Sequence, residues 1–135
     1  LGAVRVILLD THVVVWLGYE PRRISKAAAE AVRSARADGE PLAVSAVSLY
    51  ELAVIAARKW IDTPLSPDAF LEDMTAGFVL LPVTARISSA AATMPREYPS
   101  DPLDRIIGAT ALVEGLKLVT ADEKIRKSNV LSVVW

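Results

Sequence analysis

Cysteine is absent from this chain of 135 residues, and histidine occurs once, at His12. The first absence excludes disulfides, thiolate metal sites and a cysteine nucleophile, and it agrees with a cytoplasmic location. The second excludes a metal-free ribonuclease that relies on a pair of histidines. Glycine-rich phosphate loops are missing too. Neither Gly-x-x-x-x-Gly-Lys-Ser/Thr nor Gly-x-Gly-x-x-Gly occurs, so nucleotide-fold readings fail at the first turn. Charge of one sign is also lacking, with 15 Lys+Arg against 16 Asp+Glu and a net charge of −1. Such a balance gives a polyanionic partner no overall support without excluding one. The chain is 53% hydrophobic, yet its apolar runs are short and broken by charges. They fall well below the roughly 20 residues that span a bilayer, so no membrane segment is expected. The N-terminus reads straight into a strand, without the layout of a signal peptide.

What is present alternates between strand and helix. Val4 to Leu9, Leu42 to Val44, Phe78 to Leu81, Leu116 to Thr120 and Leu131 to Val134 read as strands. Between them lie helices expected from Thr11, from Ser25 to Ala37, from Ser45 to about Lys59, from Ser66, from Thr84 to about Thr93, and from Asp101 to before Gly115. A short helical turn follows over Glu123 to Lys127. Ser25, Ser45, Thr84 and Asp101 are the expected caps, and Ser66-Pro67 and Asp101-Pro102 carry the cap-then-proline start. Met94 to Ser100 is the one clear irregular loop. The pattern predicts one α/β domain over residues 1–135, with a central, mainly parallel sheet between helical layers.

Four acids fall where strands give way to helices or just inside a helix: Asp10, Glu51, Asp104 and Asp122. In an open α/β sheet the carboxyl ends of the strands border the ligand crevice. Carboxylates delivered there suit a hard cation such as Mg2+. Each acid alone also fits a simpler role. Asp10 and Asp122 can cap the helices that follow them, Glu51 can turn to solvent, and Asp104 can favour a helix N-terminus. Asp101 reads as the cap that aims Asp104. Thr11, Ser48, Thr120 and Asp101 are candidates to support the acids from behind, and His12 and Arg105 are candidates to touch a phosphate. Arg22, Arg23, Lys26, Lys124, Arg126 and Lys127 are further basic candidates, and Trp16, Tyr19 and Tyr98 are candidate stacking surfaces.

Leu-Leu-Asp-Thr-His-Val-Val-Val-Trp-Leu (8–17), Ser-Ala-Val-Ser-Leu-Tyr-Glu-Leu-Ala (45–53), Asp-Pro-Leu-Asp-Arg-Ile-Ile-Gly-Ala-Thr-Ala (101–111) and Leu-Val-Thr-Ala-Asp (118–122) occur in this order. Together they resemble the PIN-domain ribonucleases, specifically the VapC toxins of toxin–antitoxin pairs. Leu103 stands where that family usually has Phe. The resemblance implies a PIN-like three-layer α/β/α fold in which Asp10, Glu51, Asp104 and Asp122 bind Mg2+ or Mn2+. It implies a metal-dependent endoribonuclease toxin that hydrolyses RNA phosphodiesters in the cytoplasm. It further implies a VapB-type antitoxin covering the active site and, together with the apolar composition, a homodimer.

Two other readings remain open from sequence. One is a PIN-like binding module without turnover. The other is a receiver-type signalling domain that binds Mg2+, although its phosphoacceptor position after the third strand is empty here, where the chain runs Leu80-Leu81-Pro82-Val83-Thr84. A phosphatase that forms an aspartyl-phosphate would want an acid two residues after Asp10, where His12 stands.

Overall fold

The computed structural model describes residues 6–135. The part of the first expected strand before Val6 lies outside them. β1 (Ile7–Leu9), β2 (Leu42–Ser45), β3 (Val79–Leu81), β4 (Lys117–Val119) and β5 (Val133–Val134) form one sheet in the order β3-β2-β1-β4-β5. Every neighbouring pair is parallel. Parallel neighbours need crossovers, and seven helices are found in the described residues: α1 (Thr11–Tyr19), α2 (Lys26–Ala37), α3 (Val47–Ala57), α4 (Pro67–Thr75), α5 (Ala85–Ala92), α6 (Pro102–Glu114) and α7 (Glu123–Ser128). The strands are shorter than the apolar runs suggested. Leu116 and Leu131 remain outside the ladder.

Alternation of side chains along the central strands creates two separate cores. Ile7 and Leu9 of β1 join Leu42, Val44 and Val119 on one face, beneath α1, α2, α3 and α4. Leu8 joins Ala43 and Leu118 on the other face, beneath α5, α6 and α7. A strand buried on both faces reads as a continuous apolar run, which is how β1 reads. The result is the three-layer α/β/α arrangement expected from sequence.

Most helix starts follow the expected chemistry. Ser25, Ser66, Thr84 and Asp101 each accept a hydrogen bond from the backbone N–H three residues on. Ser45 is the correction. It is the last residue of β2, Ala46 occupies the cap position of α3 without a side-chain bond, and Ser45 Oγ accepts from Val47 N at 3.2 Å. The sheet holds Ser45 because Ala46 N still donates to Leu81 O of β3.

The irregular loop before α6 is fastened to that helix. Tyr98 is 2% exposed and its hydroxyl donates to the backbone carbonyl of Asp104 at 3.1 Å. Arg105 donates from Nε to Pro99 O and from Nη1 to Met94 O. Gly108 makes room for the ring, since a Cβ there would come within 2.6 Å of Tyr98 Cζ. Tyr98 is therefore a buried wedge and not the stacking surface considered from sequence. Gly108→Ala should cost about 1–3 kcal/mol through overpacking, read as a lower midpoint in urea denaturation. A midpoint equal to that of the unsubstituted protein would show that the ring moves aside freely.

Candidate active site

The strand order reverses at β1, so the sheet has its topological switch point between β1 and β4. Asp10 follows β1 directly, and Asp122 follows β4 by way of Thr120 and Ala121. Glu51 stands in the second turn of α3, which follows β2, and Asp104 in the first turn of α6. The fold thus carries all four acids to the carboxyl end of the sheet.

Asp10 is 5% exposed, and an isolated carboxylate at that depth is costly. Both of its oxygens are used. Oδ1 accepts from Thr11 N at 2.9 Å, and Oδ2 accepts from the Thr120 hydroxyl at 2.7 Å. The same Thr120 oxygen accepts from Asp122 N at 3.1 Å, which joins the first and fourth acids through one side chain. On the other flank, the Thr11 hydroxyl donates to Glu51 Oε1 at 2.6 Å. Its single proton is then spent, so Ser48 is the donor in the 2.8 Å contact between Ser48 Oγ and Thr11 Oγ1. Thr11, Ser48 and Thr120 are all buried and hydrogen-bonded within this group.

The simpler roles are fulfilled as well. Asp10 caps α1, Asp122 Oδ1 accepts from Ile125 N to cap α7, and Asp101 caps α6 through Asp104 N. Asp104 falls at the third helical position of α6, where the helix dipole favours negative charge. A residue can cap with one oxygen and present the other to a ligand.

His12 has a specific place. Its Nε2 accepts from Ala121 N at 2.9 Å, so the ring proton resides on Nδ1, which lies 3.7 Å from Asp10 Oδ2. Burial holds the imidazole below its ordinary pKa, against the opposing pull of Asp10 and Asp122, with Arg23 adding to the decrease. His12 is therefore a neutral brace between α1 and the end of β4. Its ring also packs against Trp16 at 4.9 Å between centroids. Arg105, the other phosphate candidate, has two of its donors committed to the 94–99 backbone.

Electrostatically the centre lacks positive charge. Among the described residues no ion pair involves Glu51, Asp104 or Asp122. Burial pushes the Asp104 carboxyl up to about 7, with Asp10, Asp101, Asp122 and Glu51 adding to the rise. Burial also raises Glu51, opposed by its bond from Thr11 and reinforced by Asp10 and Asp101. A divalent cation would supply the missing charge, and an all-oxygen donor set suits Mg2+ or Mn2+. The donor chemistry fits such an ion. The side chains do not close around a single point, however. Among the described residues no group of three or more acidic or histidine side chains converges closely enough to hold a metal.

The loop contacts of Tyr98 and the opening at Gly108 were not visible in the sequence. A tyrosine six residues before an acid carries no signal by itself, and the glycine looks like an ordinary helix-interior residue.

Known proteins bear on the whole chain. The PIN domain family matches residues 7–130. Ribonuclease VapC22 of Mycobacterium tuberculosis is 36% identical over 120 residues, covering 89% of each chain. The fold is shared with VapBC2 from Rickettsia felis, solved bound to a DNA fragment from its promoter, at a TM-score of 0.73, 16% identity and coverage of 95% and 96% of the two chains. It is shared too with DNA-bound VapBC from Salmonella typhimurium, at a TM-score of 0.71, 17% identity and coverage of 97% of each. The chain belongs to the PIN-domain family and is homologous to the VapC toxins of VapBC toxin–antitoxin systems.

Proposed function

We propose that this protein is an endoribonuclease toxin that hydrolyses RNA phosphodiesters with Mg2+ or Mn2+ bound among Asp10, Glu51, Asp104 and Asp122. The observation that carries this reading is the placing of these acids beside the switch point with no Lys or Arg paired to them among the described residues. Kinship with a ribonuclease, 36% identical over 120 residues, supports the choice of substrate.

A bound divalent cation supplies Lewis-acid stabilisation of the scissile phosphate and eases ionisation of an attacking water. The protein's part is positional. Thr11 N–H and the Thr120 hydroxyl fix both oxygens of Asp10, so this carboxylate meets a ligand in one orientation. Thr11 holds Glu51 on the opposite flank. Among the described residues no hydrogen bond is made to the Asp104 carboxylate, which leaves its oxygens to a ligand. Asp122, bound through one oxygen as a cap, retains the other for an ion or its water. Mg2+ keeps several waters and takes few direct protein ligands, so a centre that brings in its acids partly through water is compatible with the open spacing. In-line attack by water leaves a 5′-phosphate and a 3′-hydroxyl.

The partner belonging to this reading is a VapB-type antitoxin lying over the acidic centre, with the toxin as a homodimer in the cytoplasm. Structures of toxin–antitoxin complexes share the fold. Exposed apolar side chains such as Tyr50 and Trp60, each 64% exposed, give partners a surface to cover. Co-expression with the neighbouring reading frame should relieve toxicity and yield a complex, and failure of both would remove the toxin assignment.

The second reading is a PIN-like binding module without turnover. The absence of a converged three-ligand group among the described residues favours it. Cleavage of RNA that needs Mg2+ or Mn2+, stops with EDTA, and is lost in folded Asp10→Asn and Asp104→Asn variants separates the two. Undiminished cleavage by folded Asp10→Asn sinks the assigned centre, and metal binding without product on varied RNAs selects the silent module.

The raised Asp104 carboxyl makes a further prediction. Its pKa moves from 3.8 to about 7 on folding, so between those values the folded protein holds a proton that the unfolded chain has lost. This contribution to stability is complete below the lower value and disappears as pH rises through the upper one. The metal-free protein should therefore lose thermal stability as pH rises towards 7, and Mg2+ should restore more of it at alkaline than at acidic pH. A Tm in EDTA that does not fall over this range, with no response to Mg2+, would contradict both expectations.

A further inference from the structure

Beside the acidic centre lies a cleft of about 600 Å³ between the 96–100 loop, α6 and α7. Its cations are Arg96, Arg105, Lys124 and Lys127, and Glu97 is its one acid. Arg105 follows Asp104 on α6, and Lys124 lies two residues beyond Asp122 on α7. The cleft therefore takes cations from the starts of α6 and α7, where Asp104 and Asp122 also stand.

We infer that this cleft is the track for the RNA backbone on one side of the scissile bond, gripping phosphates without reading bases. The inference rests on the ribonuclease reading. A crevice rich in carboxylates repels a polyanion, and a net charge of −1 supplies no long-range attraction to offset that. Affinity has to come from cations held locally, and four of them share this cleft.

Their arrangement suits phosphate. Arg105 is pinned by the carbonyls of Pro99 and Met94, which orient its guanidinium while leaving its remaining N–H groups to a ligand. Among the described residues Arg96, Arg105 and Lys124 take part in no ion pair. Lys127 is paired with Glu123 at 2.7 Å, but both side chains are at least 70% exposed, and such a pair is weak in water and gives way to a phosphate. Ser100 and Ser128 add hydroxyls to the lining. Contacts of this type position the strand and carry no sequence information.

The test pairs Arg96→Ala/Lys124→Ala with a control, Arg33→Ala/Arg36→Ala, on α2 across the sheet. Binding of a fluorescent single-stranded RNA is followed by anisotropy at several salt concentrations, in an Asp10→Asn background with Mg2+. Cleavage is measured in the otherwise unsubstituted protein. The cleft variant should bind about tenfold more weakly at low salt, with a salt slope shallower by roughly 1.4, the value for two lost single-strand phosphate contacts. The control should keep most of the affinity, and thermal midpoints should show all the variants folded. Equal binding by the two double variants, or no RNA binding by the parent, overturns the track. Retained RNA binding combined with lost binding of poly-glutamate overturns it in favour of an acidic protein partner. If the parent never cleaves RNA but the cleft variant alone loses binding, the track stands and the ribonuclease reading fails. If cleavage is normal in the cleft variant and its binding is unchanged, the track fails and the ribonuclease reading stands.

Discussion

Like charges gathered at one edge of a sheet repel, and this fold contains that repulsion without a cation from its own described side chains. Two threonine hydroxyls do much of the work. Thr120 donates to Asp10 and accepts from the Asp122 backbone, while Thr11 donates to Glu51 and receives Ser48. Hydroxyls satisfy buried carboxylate oxygens without neutralising them. A lysine or arginine in the same places would stabilise the fold more directly but would cancel the charge that attracts a metal. Keeping Asp10 and Glu51 hydrogen-bonded yet electrostatically unbalanced suits the divalent ion of the proposed function.

The cap geometry shows how little extra structure this arrangement needs. Asp10, Asp122 and Asp101 each satisfy an N–H at a helix start that would otherwise lack a partner. Their residue types are favoured there whether or not a ligand is present. In a parallel α/β fold the helix starts and the crevice lie at the same end of the sheet, so residues chosen for capping already face the site. Capping and the proposed ligation coincide because both use oxygen atoms at that edge.

This coincidence also sets what the sequence could disclose. Strand and helix order was legible because β1, β2 and β4 are apolar runs and Ser25, Ser66, Thr84 and Asp101 are strong starts. The acids were legible as a set through their repeated position, although each alone looked like a cap. Ser45 was misplaced because a serine before a helical pattern resembles a cap, and only its pairing register with Leu81 keeps it in the strand. Tyr98 was misread because its burial depends on Gly108, ten residues away on another element, and local pattern does not encode such a fit. The cleft beside the centre draws Arg96 from a loop and Lys124 from a helix, a meeting that follows from packing between α6, α7 and the loop.

The strand order has one more consequence, which concerns time. The bond from Thr120 to Asp10 joins residues 110 positions apart, and β1 cannot complete its pairing until β4 arrives beside it. No N-terminal fragment that stops short of β4 contains the buried form of Asp10, and any fragment ending before Asp122 lacks the fourth acid. While the chain is still being synthesised, its early carboxylates exist without the hydroxyl that orders them. For a protein whose proposed action is on RNA, the centre is thus incomplete until β4 and Asp122 have been synthesised.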